Sequence, residues 1–261
     1  MKIEKMDKKG RTLKVLVKDS NPAMMNAIRR ISMKSVPVLA IEDVGVIENS
    51  SPLFDEIIAQ RLGQVPIDFE PEEFDIREDC DCEDGCPNCE ATFSLEVEDP
   101  GTVHSEDIVC ESGDVEPLHD EIPITELDEN QRIEMEATAI VSTGDDHSKH
   151  QASISSYQYY PIIDIDNRKL DDEEKKKAAE VCPRDVLEVK NGKLKVLDET
   201  RCTLCKECME EVSSEGIVIT GDEEKFILKV EPISALSPEY IIEKTAEILE
   251  DKADRIIDKL S

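Results

Sequence analysis

NPAMMNAIRRISMKSVPVLAIEDVGVIENSSPLFDEIIAQRLGQVP, residues 21–66, reads as two helices bracketing one extended run. Asp19, Ser20 and Asn21 are all competent N-caps, and Pro22 suits a first helical turn, where no backbone donor is needed. Met24, Ala27, Ile28 and Ile31 recur at i, i+3, i+4 and i+7, one apolar stripe of an amphipathic helix, with Arg29 and Arg30 beside it. Residues 36–47 are rich in β-branched side chains and too apolar for a surface loop, which predicts a buried strand. Ser51 and Pro52 predict the start of a second helix, with Leu53, Phe54, Ile57, Ile58 and Leu62 apolar and Gly63 as its stop. Helix, strand, helix in this order occurs in many α+β domains.

The literal residues are more specific than the pattern. N-A-I-R-R (26–30), V-P-V-L-A-I-E (36–42), E-N-S-S-P-L-F-D-E (48–56) and Q-R-L-G-Q-V-P (60–66) closely resemble the assembly motif of the RNA polymerase α-like subunits, in particular their archaeal, D-type members. The likeness is dense over about 45 consecutive positions. It implies that the first helix packs against its counterpart in a smaller α-like subunit. On that heterodimer the large catalytic subunits and small assembly subunits would gather, with DNA reached only through the complex. Met24, Ala27, Ile28 and Ile31 would then lie at the dimer interface.

Composition agrees with such a role. Sixty-two acidic against 31 basic residues give a net charge of −31. A surface of that sign repels DNA phosphates, so direct nucleic-acid binding is not expected as the main task. Basic protein partners or a salt-rich cytoplasm would each suit it. The first 18 residues carry seven Lys or Arg and no apolar core segment. No run approaches the roughly 18 apolar residues a membrane helix needs, so a cytoplasmic protein without membrane contact is expected. Upstream of the first helix, Leu13, Val15 and Val17 alternate with polar neighbours as a short strand.

Nine cysteines without a secretory signal point to metal rather than disulfides. Cys110 stands alone and reads as a small buried hydrophobe. Cys80, Cys82, Cys86 and Cys89 place four thiols within ten residues, and Gly85 and Pro87 permit the sharp turn that would close them into one tetrahedron. Four thiolates at this density suit one structural zinc ion; adventitious disulfides or reduced loop thiols are the bland account. The same spacing occurs in the eukaryotic α-like polymerase subunits, so the resemblance also implies zinc. Beyond this knot, residues 92–98 and 133–141 alternate as strands, with Phe93, Leu95 and Val97 on one face and Ile133, Met135, Ala137 and Ala139 on the other strand. Between them Pro100-Gly101, Ser112-Gly113, Pro117 and Pro123 mark loops and edge strands. GDDHSKH (144–150) carries two histidines but no matching nucleophile or carboxylate set, and reads as a solvated loop.

Cys202, Cys205 and Cys208 form three quarters of the ferredoxin run C-x2-C-x2-C-x3-C-P, with Val212 in the fourth place. Thirty residues upstream, Cys182-Pro183 is the missing end of an identical run, whose first three places hold Asp172, Lys175 and Ala178. At that offset Leu187 aligns with Ile217 and Val189 with Ile219, and turns are predicted at Asn191-Gly192 and Gly221-Asp222. In two-cluster ferredoxins each fourth cysteine ligates the other repeat's cluster. Cys182, Cys202, Cys205 and Cys208 therefore make one complete [4Fe-4S] site, while the second site has lost all four ligands. A [3Fe-4S] cluster on Cys202, Cys205 and Cys208 is the alternative if Cys182 does not engage, and zinc is the rival metal. The module also resembles the domain inserted in many of the archaeal α-like subunits.

Ser237 and Pro238 open a last helix in which Ile242, Ala246, Leu249, Ala253, Ile256 and Leu260 are spaced 4, 3, 4, 3, 4, the seam of a coiled-coil-like helix. At 1.5 Å per residue it spans roughly 34 Å, long enough to reach a partner. Ile242, Leu249 and Ile256 are its expected interface residues. The expected architecture is α+β. A dimerisation domain (1–40, 151–165 and 223–261) is interrupted by a mostly-β insert domain (41–150) with the zinc-type loop and by a ferredoxin-like iron–sulfur domain (166–222). The expected function is a non-catalytic scaffold of archaeal DNA-directed RNA polymerase; neither a phosphate-cradling Gly-rich loop nor a polymerase-type acidic magnesium site appears. The alternative is a ferredoxin-type electron-transfer subunit of an oxidoreductase.

Overall fold

A computed structural model describes residues 1–77, 80–83, 85–112, 115–212 and 215–260, with the side chains of residues 5 and 6 left undescribed. In chain order the elements are β1 (Lys2–Lys9), β2 (Thr12–Lys18), α1 (Pro22–Lys34), β3 (Val38–Asn49), α2 (Asp55–Gln64), β4 (Ile67–Asp68) and β5 (Glu90–Val97). The short strands β6 (Gly101–His104), β7 (Ile108–Cys110), β8 (Glu116–Pro117) and β9 (Pro123–Leu127) follow, then β10 (Ile133–Ser142) and β11 (Ser153–Ile165). The last third holds α3 (Asp172–Glu180), β12 (Leu187–Lys190), β13 (Lys193–Val196), α4 (Glu207–Glu210), β14 (Ile217–Pro232) and α5 (Pro238–Leu260). The structure is mixed α and β with mostly sheet, and it divides into two compact units.

The first unit (1–9, 13–27 and 156–229) carries the sheet ordered β1-β2-β14-β11. Leu13, Val15 and Val17 are buried as their alternation predicts. On β14, Phe226 is fully buried with the rings of Tyr157 and Tyr159 of β11 centred 5.9 and 5.2 Å away. The same unit contains a smaller core of Leu170, Ala178, Val186, Leu187, Leu194, Cys202, Cys208, Val212, Ile217 and Ile219. There β12 and β13 pair around Asn191 and Gly192, both at positive φ (54° and 71°), the conformation that an Asn-Gly hairpin turn requires. The turn predicted at Gly221-Asp222 does not form: β14 runs through it as continuous strand. A Cβ on Gly221 would stand 2.5 Å from Tyr159 Cβ, so this glycine serves close approach of two strands rather than a reversal.

The second unit (10–12, 28–155 and 230–261) is built on the sheet ordered β3-β10-β5-β7. Phe93 faces Ala137 and Leu95 faces Met135 across β5 and β10, and Val141 faces Leu39 across β10 and β3. Only the first half of β3 is buried: residues 38–41 are inside, whereas Val46 and Ile47 are 38% and 58% exposed. The strand lies at the sheet's edge, so its far half gains one neighbour and no cover. The second helix begins later than predicted, because Asn49 and Ser51 first make a polar turn in which Asn49 Oδ1 accepts from Ser51 N and Ser51 Oγ accepts from Leu53 N. α2 then buries Ile58 and Leu62, while Phe54 and Ile57 point outward. Gly63 continues the helix instead of stopping it; a Cβ there would sit 3.4 Å from Ile41 O, so the glycine lets α2 lie close on β3.

On α1, Asn21 is the cap, accepting from Met24 N at 3.0 Å. The buried face runs through Met25, Ile28, Ile31 and Ser32, Ala27 is half-buried, and Met24 is 41% exposed. That rotation follows from spacing: residues 25, 28 and 32 stack on one side of a 3.6-residue helix, and 24 falls off its edge. In the 144–150 segment, His150 is not solvated but 1% exposed, with Nδ1 donating to Val38 O at 2.8 Å. On α5, Ser237 Oγ caps Tyr240 N, Ile241 is fully buried, Ile242 and Leu249 are half-buried, and Ile256 is exposed.

Candidate functional site

Two groups of cysteines carry the chemistry on which this chain's residues converge. The first follows the short turn after Pro71–Glu73 and closes against the start of β5. Cys86 O accepts from both Cys89 N and Glu90 N at 2.9 Å, which folds the loop back on itself. The sulfurs of Cys80 and Cys86 are 3.6 Å apart, those of Cys82 and Cys89 3.5 Å, and those of Cys86 and Cys89 3.7 Å. A zinc–thiolate bond of about 2.3 Å sets a tetrahedral sulfur–sulfur edge of about 3.8 Å, which three of these pairs approach, and all four sulfurs lie within 4.8 Å of one another. Gly85 at φ 93° makes this closure; a Cβ there would collide with the Glu90 carboxylate.

Arg77 stands outside the cysteine motif, yet it is part of this site. Its guanidinium donates to Cys82 Sγ at 3.3 Å and pairs with Glu90 at 2.9 Å. Its only mark in the sequence is a cation three residues upstream of Cys80 in an acidic stretch. Hydrogen bonding from Cys80 and its neighbours lowers the Cys82 thiol to about 7. Burial pushes the Cys89 thiol up to about 12. A divalent cation would reverse that second effect, since coordination deprotonates a thiol outright.

The second group lies in the smaller core of the first unit. Cys182 follows α3, Cys202 and Cys205 lie on the loop that leads into α4, and Cys208 lies within α4. All four line a single cavity, together with Ile163, Val186 and Ile219. Cys202 and Cys208 are 6% and 5% exposed, Cys182 is half-buried, and Cys205 is exposed. Val186 N donates to Cys182 Sγ at 3.4 Å and Leu204 N to Cys202 Sγ at 3.5 Å. Leu204 and Lys206 both take left-handed backbone (φ 59° and 64°). For residues other than glycine this costs on the order of 1–3 kcal/mol each, strain of the kind that collects at ligand clamps. Burial raises the thiols of Cys202 and Cys208, the latter to about 11. Among the described residues, the Cys80 group is the only one with all its ligand atoms within 4.8 Å of one another. The second group instead lines a cavity together with apolar side chains.

Of the four places that the expected repeat leaves without a cysteine, three are buried and Asp172 is exposed. Ala178 and Val212 are buried in the core at 0% and 8% exposure, and Lys175 is 8% exposed. Cys110, at the end of β7, is half-buried and faces Phe93.

The insert-domain family described as RNA polymerase Rpb3/RpoA insert domain matches residues 41–167. Among curated proteins, the DNA-directed RNA polymerase subunit Rpo3 of Methanosphaera stadtmanae is 36% identical over 98% of this chain and 97% of its own length. Rpo3 of Methanothermobacter thermautotrophicus is 36% identical over 89% of each chain. That of Archaeoglobus fulgidus is 34% identical over 97% of this chain and 96% of its own. These names give no support to an oxidoreductase.

Proposed function

This chain belongs to the Rpo3 family of DNA-directed RNA polymerase subunits, and from that premise we propose that it is a non-catalytic assembly subunit of an archaeal RNA polymerase. The observation that carries the reading is identity spread over the whole length of the Rpo3 relatives, both compact units included. Its partners are the other polymerase subunits in the cytoplasm, first a small α-like subunit, then the large catalytic ones. Exposed apolar side chains support pairing: Met24 on α1, and Ile256, Ile257 and Leu260 on α5, at 61%, 59% and 83% exposure for the last three. Ile28 and Ile31 are buried on the inner face of α1, and Ile242 and Leu249 are half-buried. The dimerisation domain takes in 1–40, 151–165 and 223–261, the insert domain 41–150 and the iron–sulfur domain 166–222.

Both cysteine groups are structural in this reading. Cys80, Cys82, Cys86 and Cys89 hold one zinc ion, and Cys182, Cys202, Cys205 and Cys208 hold one [4Fe-4S] cluster. In each case the bond to metal ties together backbone that has little apolar core of its own. Mass spectrometry of chains co-purifying with the tagged protein tests the assembly role. Large polymerase subunits are expected; a dehydrogenase or reductase in their place overturns it.

A further inference from the structure

Beside the second cysteine group, and wholly within the first unit, lies an open cleft of about 460 Å³. Four charged side chains line it, Lys14 of β2, Arg184, Arg201 and Lys229 of β14, and no carboxylate does. Carboxylates outnumber cations two to one in this chain, so four charged groups drawn at random would rarely all be basic. Lys14 and Arg184 have no carboxylate within salt-bridge reach among the described residues, and Arg201 keeps only a long 3.8 Å pair with the exposed Asp185. Thr203 adds a hydroxyl to the same wall, while the Thr200 hydroxyl donates to Asp198 Oδ1 at 2.6 Å.

We propose that this cleft is a binding site for a compact oligo-anion bearing phosphate groups. Guanidinium forks and hydroxyls are the donors that recognise phosphate oxygens, and the concave wall brings them onto one ligand. The size falls in the range of small-molecule sites, while the polar lining excludes an apolar ligand. The charge of the whole chain argues for a small occupant. At −31 its long-range field opposes any extended polyanion, nucleic acid or acidic peptide, whose distal charges would remain outside the cleft. A compact anion meets only the local positive potential. Arg184 and Thr203 line both this cleft and the cysteine cavity, so the ligand would sit next to the second cysteine group. The proposal stands independently of the assembly role.

The test is titration calorimetry of inorganic pyrophosphate into the full chain, purified without oxygen and retaining its metals, with hexaglutamate and single-stranded DNA titrated in parallel. Saturable pyrophosphate binding is expected, weakening steeply with added salt. K14Q and R201Q, both at exposed positions, are each expected to weaken it about tenfold or more, with iron content and circular dichroism unchanged. The same loss of one positive charge in the second unit, K252Q, is expected to leave binding as it was. Absence of pyrophosphate binding, binding indifferent to K14Q and R201Q, or preference for hexaglutamate or DNA would each overturn the proposal.

Discussion

Lys175 donates to Asp172 across one turn of α3 at 3.0 Å, and the two residues occupy places where the repeat offset of 30 would put two cysteines of a second cluster. The Asp172 side chain is 86% exposed, so the pair itself contributes well under 1 kcal/mol. The other three places, Lys175, Ala178 and Val212, are buried. In the reading proposed above, a module packed in this way is suited to holding structure.

That packing makes a contrast of two substitutions informative. Asp172→Asn is expected to change stability by less than about 1 kcal/mol, since it removes an exposed partner. Ala178→Asp is expected to cost several kcal/mol, because it puts an unpaired charge at a fully buried site. Limited proteolysis of residues 166–222 reads both, and equal sensitivity in the two variants would contradict the account.

Cys205→Ser is expected to remove the brown iron–sulfur absorbance and expose residues 166–222 to protease, while pairing with the small α-like subunit survives. The surviving ligands come from Cys182 and from the 202–208 loop, so binding closes a loop of about 20 residues in a domain with a small core. A protected module without iron would sink the structural role.

In the Cys80–Cys89 loop, burial pushes the Cys89 thiol up to about 12, so it is protonated near neutral pH in the absence of metal and must lose its proton to coordinate one. Adding zinc to metal-free protein at pH 7 is therefore expected to release protons, and affinity is expected to fall as pH falls. Calorimetry in two buffers of different ionisation enthalpy measures the release. A chain with Cys202, Cys205 and Cys208 replaced by Ser is expected to retain about one zinc.

His150 supplies a pH dependence of stability. Burial lowers its basicity, with the Nε2 atom 3.5 Å from Glu42 and Lys149 alongside. A base with a depressed folded pKa binds fewer protons folded than unfolded, so stability is present above the unfolded value of 6.5 and declines as pH falls through the window beneath it. Glu42, lowered chiefly by its hydrogen bond to Lys149, adds a loss of the same sign below its ordinary 4.5. Denaturant melts between pH 7.5 and 5 are expected to show a slope that His150→Gln flattens.

Ile28→Glu and Ile256→Glu separate folding from pairing. Ile28 is 6% exposed, so the charge is expected to cost several kcal/mol and unfold the second unit. Ile256 is 61% exposed; its change is expected to alter stability by no more than about 0.5 kcal/mol yet abolish co-elution with the small α-like subunit. Unchanged co-elution of Ile256→Glu would remove α5 from the interface.

Residue type and spacing alone determined a good deal of this protein. They placed the assembly stretch, the alternating strands β2, β5 and β10, the cap Ser237, and the four cysteines that meet in the Cys80–Cys89 loop. Each of these depends on contacts within a few residues or on a short periodicity, and such information is local. Tertiary structure decided the rest. The outer half of β3 is as apolar as its inner half, and only sheet order says which half is covered. Gly63 and Gly221 carry the same sequence signal as helix stops and turns, but each serves a close approach to an element distant in the chain. His150 beneath Val38 and the cleft of Lys14, Arg184, Arg201 and Lys229 are assembled from separate segments. A one-dimensional pattern holds no record of that convergence, because it is set by how buried surfaces pack.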